Sequence, residues 1–441
     1  MAAHTEVSPS KLIELRHGWR VLVASTLGIA GGIIAIPYYT NALFFPELSA
    51  EFGWSSANLS LVVLVYNLTW AILMPFVGRL TDRFGVRAPA LVSGLFLAVG
   101  YFIMSTVGDN FVLYFIVVVV TMGLSVCTGA IGFARAIGVT FDRMRGLALG
   151  IILAGSGVTA VVAPQVLGPI IEGSGWRMGF RSLALAVVVL AVVVFLLMPS
   201  GVRRDDGQGA GAEKDQARTV PVARVLAEPV FRRLALAFIC MALAVGGMVI
   251  HLYPMMLEAG VAESAALWVQ SAMGFTVVIG RLVSGYLFDK FHAPYVVACI
   301  LGLAAVGLAM LVFGGPHLAL VAAFAVGFCV GAEVDVVALL TSRFFAMDVF
   351  GQLYGLLYAA FTLGLAGSPY IIGLLVDNTE GFVPTVSYSA ILLLIGSALF
   401  ATLPKYGEPR FAAEDAPNTP DSPDTPDSPG PTVPADDLVS R

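Results

Sequence analysis

Four residues that carry a full charge at neutral pH stand well inside long apolar runs: Arg135, Arg281, Glu333 and Asp335. A charge at the centre of a membrane span costs about 2.5–3.5 kcal/mol on insertion scales, so each is a functional candidate by default. A guanidinium is a planar fork that receives a carboxylate on two parallel hydrogen bonds. Arg281 can therefore anchor an organic anion. Glu333 and Asp335 are carboxyl groups at a similar depth in another apolar run, and either can carry a proton. They are two positions apart, about 200° around a helix, so both cannot face one neighbour. An ion pair between Arg281 and one of them, with a purely structural role, is the competing reading. Arg135 stands near the end of its run, where an arginine draws in anions or extends to the interface. Tyr39, Asn41, Asn67, Tyr358 and Phe361 are polar or aromatic residues in other runs that can complete a cavity around an anion, alongside Tyr38, His251 and Tyr253.

These residues need elements that cross a membrane. The chain has 441 residues, of which 58% are hydrophobic and 12% charged, with a mean hydropathy of +0.89. Soluble domains carry about 25% charged residues. A soluble globular fold and bulk disorder are therefore excluded, and a net charge of −5 gives no footprint for nucleic acid. Twelve apolar runs are each long enough for a helix, six between 21 and 199 and six between 234 and 403. Helices are the required form, because in lipid each backbone polar group must be satisfied within its own segment. Residues 1–20 read as a cytoplasmic lead-in, 200–233 as a cytoplasmic linker and 404–441 as a tail. The Pro-, Asp-, Ser- and Thr-rich stretch 417–431 cannot bury a core and reads as disordered. With the N-terminus in the cytoplasm, only Arg177 and Arg181 among the loop cations fall on or beside the opposite face. That asymmetry selects this orientation.

No nucleotide-binding loop of the Gly-x4-Gly-Lys type is present, and no polar segment is long enough for a catalytic domain, so an enzyme is not expected. Neither a cofactor nor a metal is implied. The four cysteines sit in apolar runs without ligand spacing.

The two halves repeat at an offset near 207. Gly78-Arg-Leu-Thr-Asp82-Arg83-Phe-Gly-Val-Arg87 follows the second run, and Gly285-Tyr-Leu-Phe-Asp289-Lys290 follows the eighth. Gly146-x-x-x-Gly150 in the fifth run answers Gly351-x-x-x-Gly355 in the eleventh. Duplicated six-helix halves are the plan of a rocking transporter. An aspartate at the end of a helix can accept from the N-terminus of a neighbour, with Arg83, Arg87 and Lys290 holding the other side. Gly78, Asp82, Arg83, Arg87, Gly285, Asp289 and Lys290 are thus the candidate gate at the inner face. The small residues let helices two, five, eight and eleven approach across the halves.

On these motifs the chain, from about 18 to 404, resembles the major facilitator superfamily. Within it, Phe141-Asp-Arg-Met-Arg-Gly-Leu-Ala-Leu-Gly150, Arg281-x-x-x-Gly285-x-x-x-Asp289 and Tyr354-Gly-Leu-Leu-Tyr358-Ala-Ala are similar to the monocarboxylate transporter and oxalate/formate antiporter branch. The resemblance implies an all-α membrane protein of twelve transmembrane helices in two pseudo-symmetric halves, and it implies that Arg281 binds the substrate carboxylate. Three positions depart from the branch. Val277 stands where the eukaryotic carriers have an acid, Tyr39 where they have a lysine, and Phe361 where the oxalate antiporter has a second cation. One cation beside an aromatic wall fits a single carboxylate on an apolar or aromatic body better than a compact dianion. The expected activity is secondary transport of a small organic anion, a monocarboxylate, coupled to protons through Glu333 or Asp335. An exporter of drugs or secondary metabolites is the alternative. The expected partners are the anion, the proton and the bilayer. The expected setting is the cell inner (plasma) membrane, as a monomer with both termini cytoplasmic.

Overall fold

The computed structural model describes residues 11–141, 144–199, 220–346, 348–407 and 410–411; the side chains at 11–13, 75, 78, 79, 82, 145, 289, 334 and 335 lie outside that description. Among the described residues the architecture is entirely helical. The first span consists of α1 (Lys11–Ala30) and α2 (Ile36–Phe52). Then come α3 (Ser56–Phe84) and α4 (Arg87–Met104), and α5 (Phe111–Leu124) and α6 (Ala130–Thr140) share the fourth span. The first half ends with α7 (Arg145–Ser174) and α8 (Trp176–Leu197). A short α9 (Val222–Ala227) leads into α10 (Pro229–Glu258), α11 (Glu263–Lys290), α12 (Ala293–Gly314), α13 (Ala319–Phe344), α14 (Phe350–Asn378) and α15 (Val383–Ala401).

Ten of these helices are long and apolar enough to cross a bilayer by length and composition. The remaining two crossings, the first and fourth, depart from the expectation of one helix per apolar run, since each is broken. Gly32 sits against the Thr128 carbonyl, where a Cβ would collide. The chain turns there, and a 3₁₀ turn over Val126–Thr128 breaks the fourth span at the same place. The freed backbone groups find partners: Ile33 N–H donates to Thr128 Oγ1 at 3.1 Å, and Thr159 Oγ1 on α7 donates to the Ala30 carbonyl at 2.7 Å. Broken backbone at membrane depth is tolerated on this condition.

The helix pairings repeat between the halves. In the first half α1 packs on α7, α4 on α8 and α3 on α5; in the second, α10 packs on α14, α12 on α15 and α11 on α13. Span by span, these are the same pairs. The contacts between halves obey the same symmetry, with α3 against α14 and α7 against α11. The pattern is that of two pseudo-symmetric six-helix bundles.

The face where α3 and α11 end, bearing Arg83, Arg87 and Lys290, is called here the basic face, and the opposite one the far face. At the far face the halves are tightly joined. A Cβ on Gly274 would lie 2.5–2.7 Å from backbone and side-chain atoms of Ala160, and one on Gly373 2.7 Å from the Ser56 carbonyl oxygen. Towards the basic face the seams part: a Cβ on Gly146, Gly150, Gly351 or Gly355 would meet nothing within 4 Å. Helices two, five, eight and eleven do approach across the halves, but at Gly157, Gly168, Gly274 and Gly373, nearer the far face, and not at the Gly146/Gly150 and Gly351/Gly355 pairs named from sequence.

Helices extend beyond the apolar runs because the backbone ladder continues into the interface. α10 starts at Pro229, not at 234, and Arg233 Nη1 donates to the Thr402 carbonyl at 3.1 Å. Parts of the predicted linker and tail are docked on the second half. Gln352 binds both backbone groups of Val220, at 2.9 and 2.7 Å. Arg410 forms a bridge with Phe345 and pairs with Glu228 at 3.0 Å. Residues 417–431 lie outside the described residues. At the far face Arg177 pairs with Glu51 at 2.7 Å and Trp176 Nε1 donates to it at 2.6 Å. These contacts hold the Glu51 carboxyl below the usual carboxylate range, the Arg177 hydrogen bond first.

Candidate functional site

Arg281 is positioned by a close helix crossing. Gly327 and Gly331, four apart on α13, present bare backbone to α11, and a Cβ on Gly331 would collide with the Val277 carbonyl and lie 2.8 Å from Arg281 N. Spacing of this kind allows backbones to approach closely. Arg281 is half-buried, and its Nη1 donates to the Leu153 carbonyl on α7 at 2.8 Å. That contact lies where the seam between α7 and α11 begins to part. The cation therefore belongs to one half and touches the backbone of the other.

Two residues beyond Gly331, Glu333 is 4% exposed, and its Oε2 has no hydrogen-bond partner among the described residues. Arg281 lies within electrostatic reach of this carboxyl, as do Tyr38, Tyr39 and Tyr358. Tyr39 is also within reach of Arg281. Tyr38 and Tyr39 meet edge to face, with ring centroids 5.0 Å apart, and the buried Tyr38 hydroxyl has no partner among the described residues. On α14, Tyr358 stacks on Tyr354 at 5.6 Å and leans on Phe361 at 6.0 Å. Phe361 is 1% exposed, so it backs this aromatic wall from behind.

The structure thus brings Arg281, Glu333, Tyr39, Tyr358 and Phe361 into one neighbourhood, drawn from α2, α11, α13 and α14. Asn41 is placed elsewhere: its Nδ2 donates to Tyr66 at 3.4 Å inside the first half, in a pocket with Phe45, Tyr101 and Tyr114. Asn67 is half-buried on α3. The side chains of Gly78, Asp82, Asp289 and Asp335 lie outside the described ones. Of the other gate candidates, Arg87 Nε donates to the Phe195 carbonyl at 2.8 Å and its guanidinium sits 4.1 Å from the Phe195 ring, within its own half. Arg83 packs on Phe84 at 5.2 Å, Lys290 lies 4.5 Å from the Tyr286 ring, and Gly285 faces open space.

Sequence reasoning missed the polar contacts that join the halves at the far face. Asp377, in the last turn of α14, accepts from Ser56 N–H at 2.9 Å and from Ala57 N–H at 2.8 Å, both at the start of α3. A signal for this existed: an acid at a helix C-terminus opposes the dipole of its own helix unless it serves another. His251, named from sequence as a residue that could complete a cavity, is 2% exposed. Its Nε2 lies 2.9 Å from Ser60 Oγ of α3 and 3.2 Å from the Pro369 carbonyl; the carbonyl can only accept, so that second contact is a hydrogen bond in the tautomer protonated at Nε2.

The family profile described as Major Facilitator Superfamily matches residues 27–369, and again 252–434. The chain belongs to the major facilitator superfamily. This superfamily member is a multi-pass membrane transporter of twelve spans in two six-span halves, and not an enzyme. It is similar to human monocarboxylate transporter 11, at 27% identity over 411 residues, covering 88% of this chain and 83% of that one. Among solved structures it resembles a D-xylose–proton symporter, with a TM-score of 0.69 at 14% identity over 88% of this chain and 98% of the other. A bacterial homolog of the human lysosomal transporter Spinster, in an inward-facing and occupied conformation, gives a TM-score of 0.65 at 15% identity, covering 89% and 97%. At those identities the two structures speak to the fold alone.

Proposed function

We propose that this transporter moves a small organic anion, a monocarboxylate on an apolar or aromatic body, by alternating access, with Arg281 as the carboxylate anchor. The observation that carries this reading is the position of Arg281: a half-buried guanidinium at the parting of the seam, bonded to the Leu153 carbonyl of the opposite half. An anion that takes over part of its donor set would loosen that tie between the halves. Binding would then be coupled to their movement. Glu333 is the proton carrier in this scheme, with Asp335 as the second candidate. Protonation of Glu333 removes its competition for the guanidinium, so one proton accompanies one carboxylate. Tyr39, Tyr358 and the packed Phe361 form the aromatic wall, and Asn41 and Asn67 serve as outlying polar groups. The motif at Gly78, Asp82, Arg83 and Arg87, repeated at Gly285, Asp289 and Lys290, closes the basic face in the alternate state.

The same reading places the basic face and both termini in the cytoplasm, because loop cations concentrate there. The membrane is the plasma membrane and the working unit a monomer. Uptake of a labelled carboxylate panel into proteoliposomes, with and without an inward proton gradient, tests the scheme. Gradient-stimulated uptake of a monocarboxylate is the expected result. No movement of any carboxylate would transfer the assignment to an exporter of drugs or secondary metabolites. Substrate range gives a further check. Phe361→Lys introduces a second cation into the aromatic wall and is expected to raise dicarboxylate uptake relative to monocarboxylate several-fold. An unchanged ratio would remove Phe361 from the specificity determinants.

A further inference from the structure

We propose that Asp377 is the latch of the far face, holding the halves together there and releasing α3 each time the cleft opens on that side. The first four N–H groups of any helix lack intrahelical partners and carry the positive end of its dipole. On α3, the side chain of Ser55 serves one of them, accepting from Asn58 N–H at 3.2 Å. Those of Ser56 and Ala57 are served by the two carboxylate oxygens of Asp377, from the other half of the molecule. Both oxygens are engaged, so the contact is directional as well as electrostatic. Hydrogen bonds of this charge-assisted type are about twice as strong as neutral ones.

Three features make this a releasable joint. Asp377 is exposed, so water can replace the protein on both sides when the bonds part. Gly373, one turn earlier on α14, brings α14 against the Ser56 carbonyl without a side chain between them. Deeper in the same seam, the His251 Nε2–Ser60 Oγ contact crosses the halves again. The other seam, α7 against α11, is tied by Gln165 Nε2 donating to Ser271 Oγ at 3.0 Å and by Ser271 Oγ donating to the Val161 carbonyl at 3.0 Å. Among these contacts only the one at Asp377 carries a formal negative charge. Its loss hands two N–H donors and the positive end of a helix dipole from a carboxylate to water.

The proposal rests on alternating access and is tested with readouts that need no substrate. The full chain carries spin labels at Asn58→Cys and Glu380→Cys, both exposed positions at the far face, in a Cys299→Ser background, and is placed in lipid nanodiscs. Asp377→Asn and Asp377→Ala are expected to raise the share of long label distances, the alanine variant more. Amide exchange at Ser56 and Ala57 should quicken about tenfold in Asp377→Ala. Asp377→Glu, which keeps the charge, should fall between wild type and Asp377→Asn. If wild type samples long distances and all three variants match it, the latch is overturned while alternating access stands. A single short distance in every protein would overturn both. Should Asp377→Ala fail to fold, the nearly isosteric Asp377→Asn decides.

Discussion

Arg281→Ala should reduce carboxylate uptake in proteoliposomes at least about a hundredfold, with the melting temperature of the solubilised protein lowered by only a few degrees. Truncating one partner of a desolvated, hydrogen-bonded charge pair costs about 2–5 kcal/mol, and each 1.4 kcal/mol is a factor of ten. The substrate carboxylate would lose its fork, and Glu333 would be left as a buried carboxyl without a cation in reach. Arg281→Lys separates charge from geometry. An ammonium keeps the charge but cannot form two parallel bonds to a carboxylate, nor do so while holding the Leu153 carbonyl. Its uptake should lie between wild type and alanine, with the loss mainly in apparent affinity. Normal transport by Arg281→Ala would make the arginine a structural tie between the halves and nothing more.

Gly331→Val should be among the most damaging single substitutions in the second half outside the charged residues themselves. The new Cβ has backbone on its far side, at the Val277 carbonyl and Arg281 N, and backbone cannot swing away as a side chain does. Overpacking of this kind costs about 1–3 kcal/mol and occasionally more, and here it falls on the crossing that sets Arg281 against Glu333. A lowered melting temperature and loss of uptake are expected together. Gly367→Ala is the control, since its Cβ would meet nothing within 4 Å. Equal behaviour of the two variants would show that α11 and α13 are less closely joined than described.

The fold was largely legible in the sequence because membrane crossing is a one-dimensional constraint: length and hydropathy mark a span without reference to its neighbours. The duplicated loop motifs added the division into halves. The helix breaks were not legible. Gly31 and Gly32 do not interrupt the apolar run that holds them, and the partner that makes the break tolerable, Thr128, lies nearly a hundred positions away. The site divides along the same line. Arg281 and Glu333 announce themselves, since a charge in lipid is costly wherever it stands. The Leu153 carbonyl does not, because a backbone atom leaves no mark on residue type. Asn41 was drawn into the site by its polarity alone, and the structure turns it towards Tyr66. Asp377 was readable in principle from its position at the wrong end of a helix dipole.

The paired breaks have a mechanical consequence. In the first half two spans bend at one height and are pinned to each other there by Ile33 and Thr128, so neither can straighten alone. Their counterparts, α10 with 30 residues and α13 with 26, each continue as one helix, α10 with Pro254 near its far end. The duplicated bundles thus hinge differently: in one, two crossings share a pinned joint, and in the other the same two crossings are each a single helix.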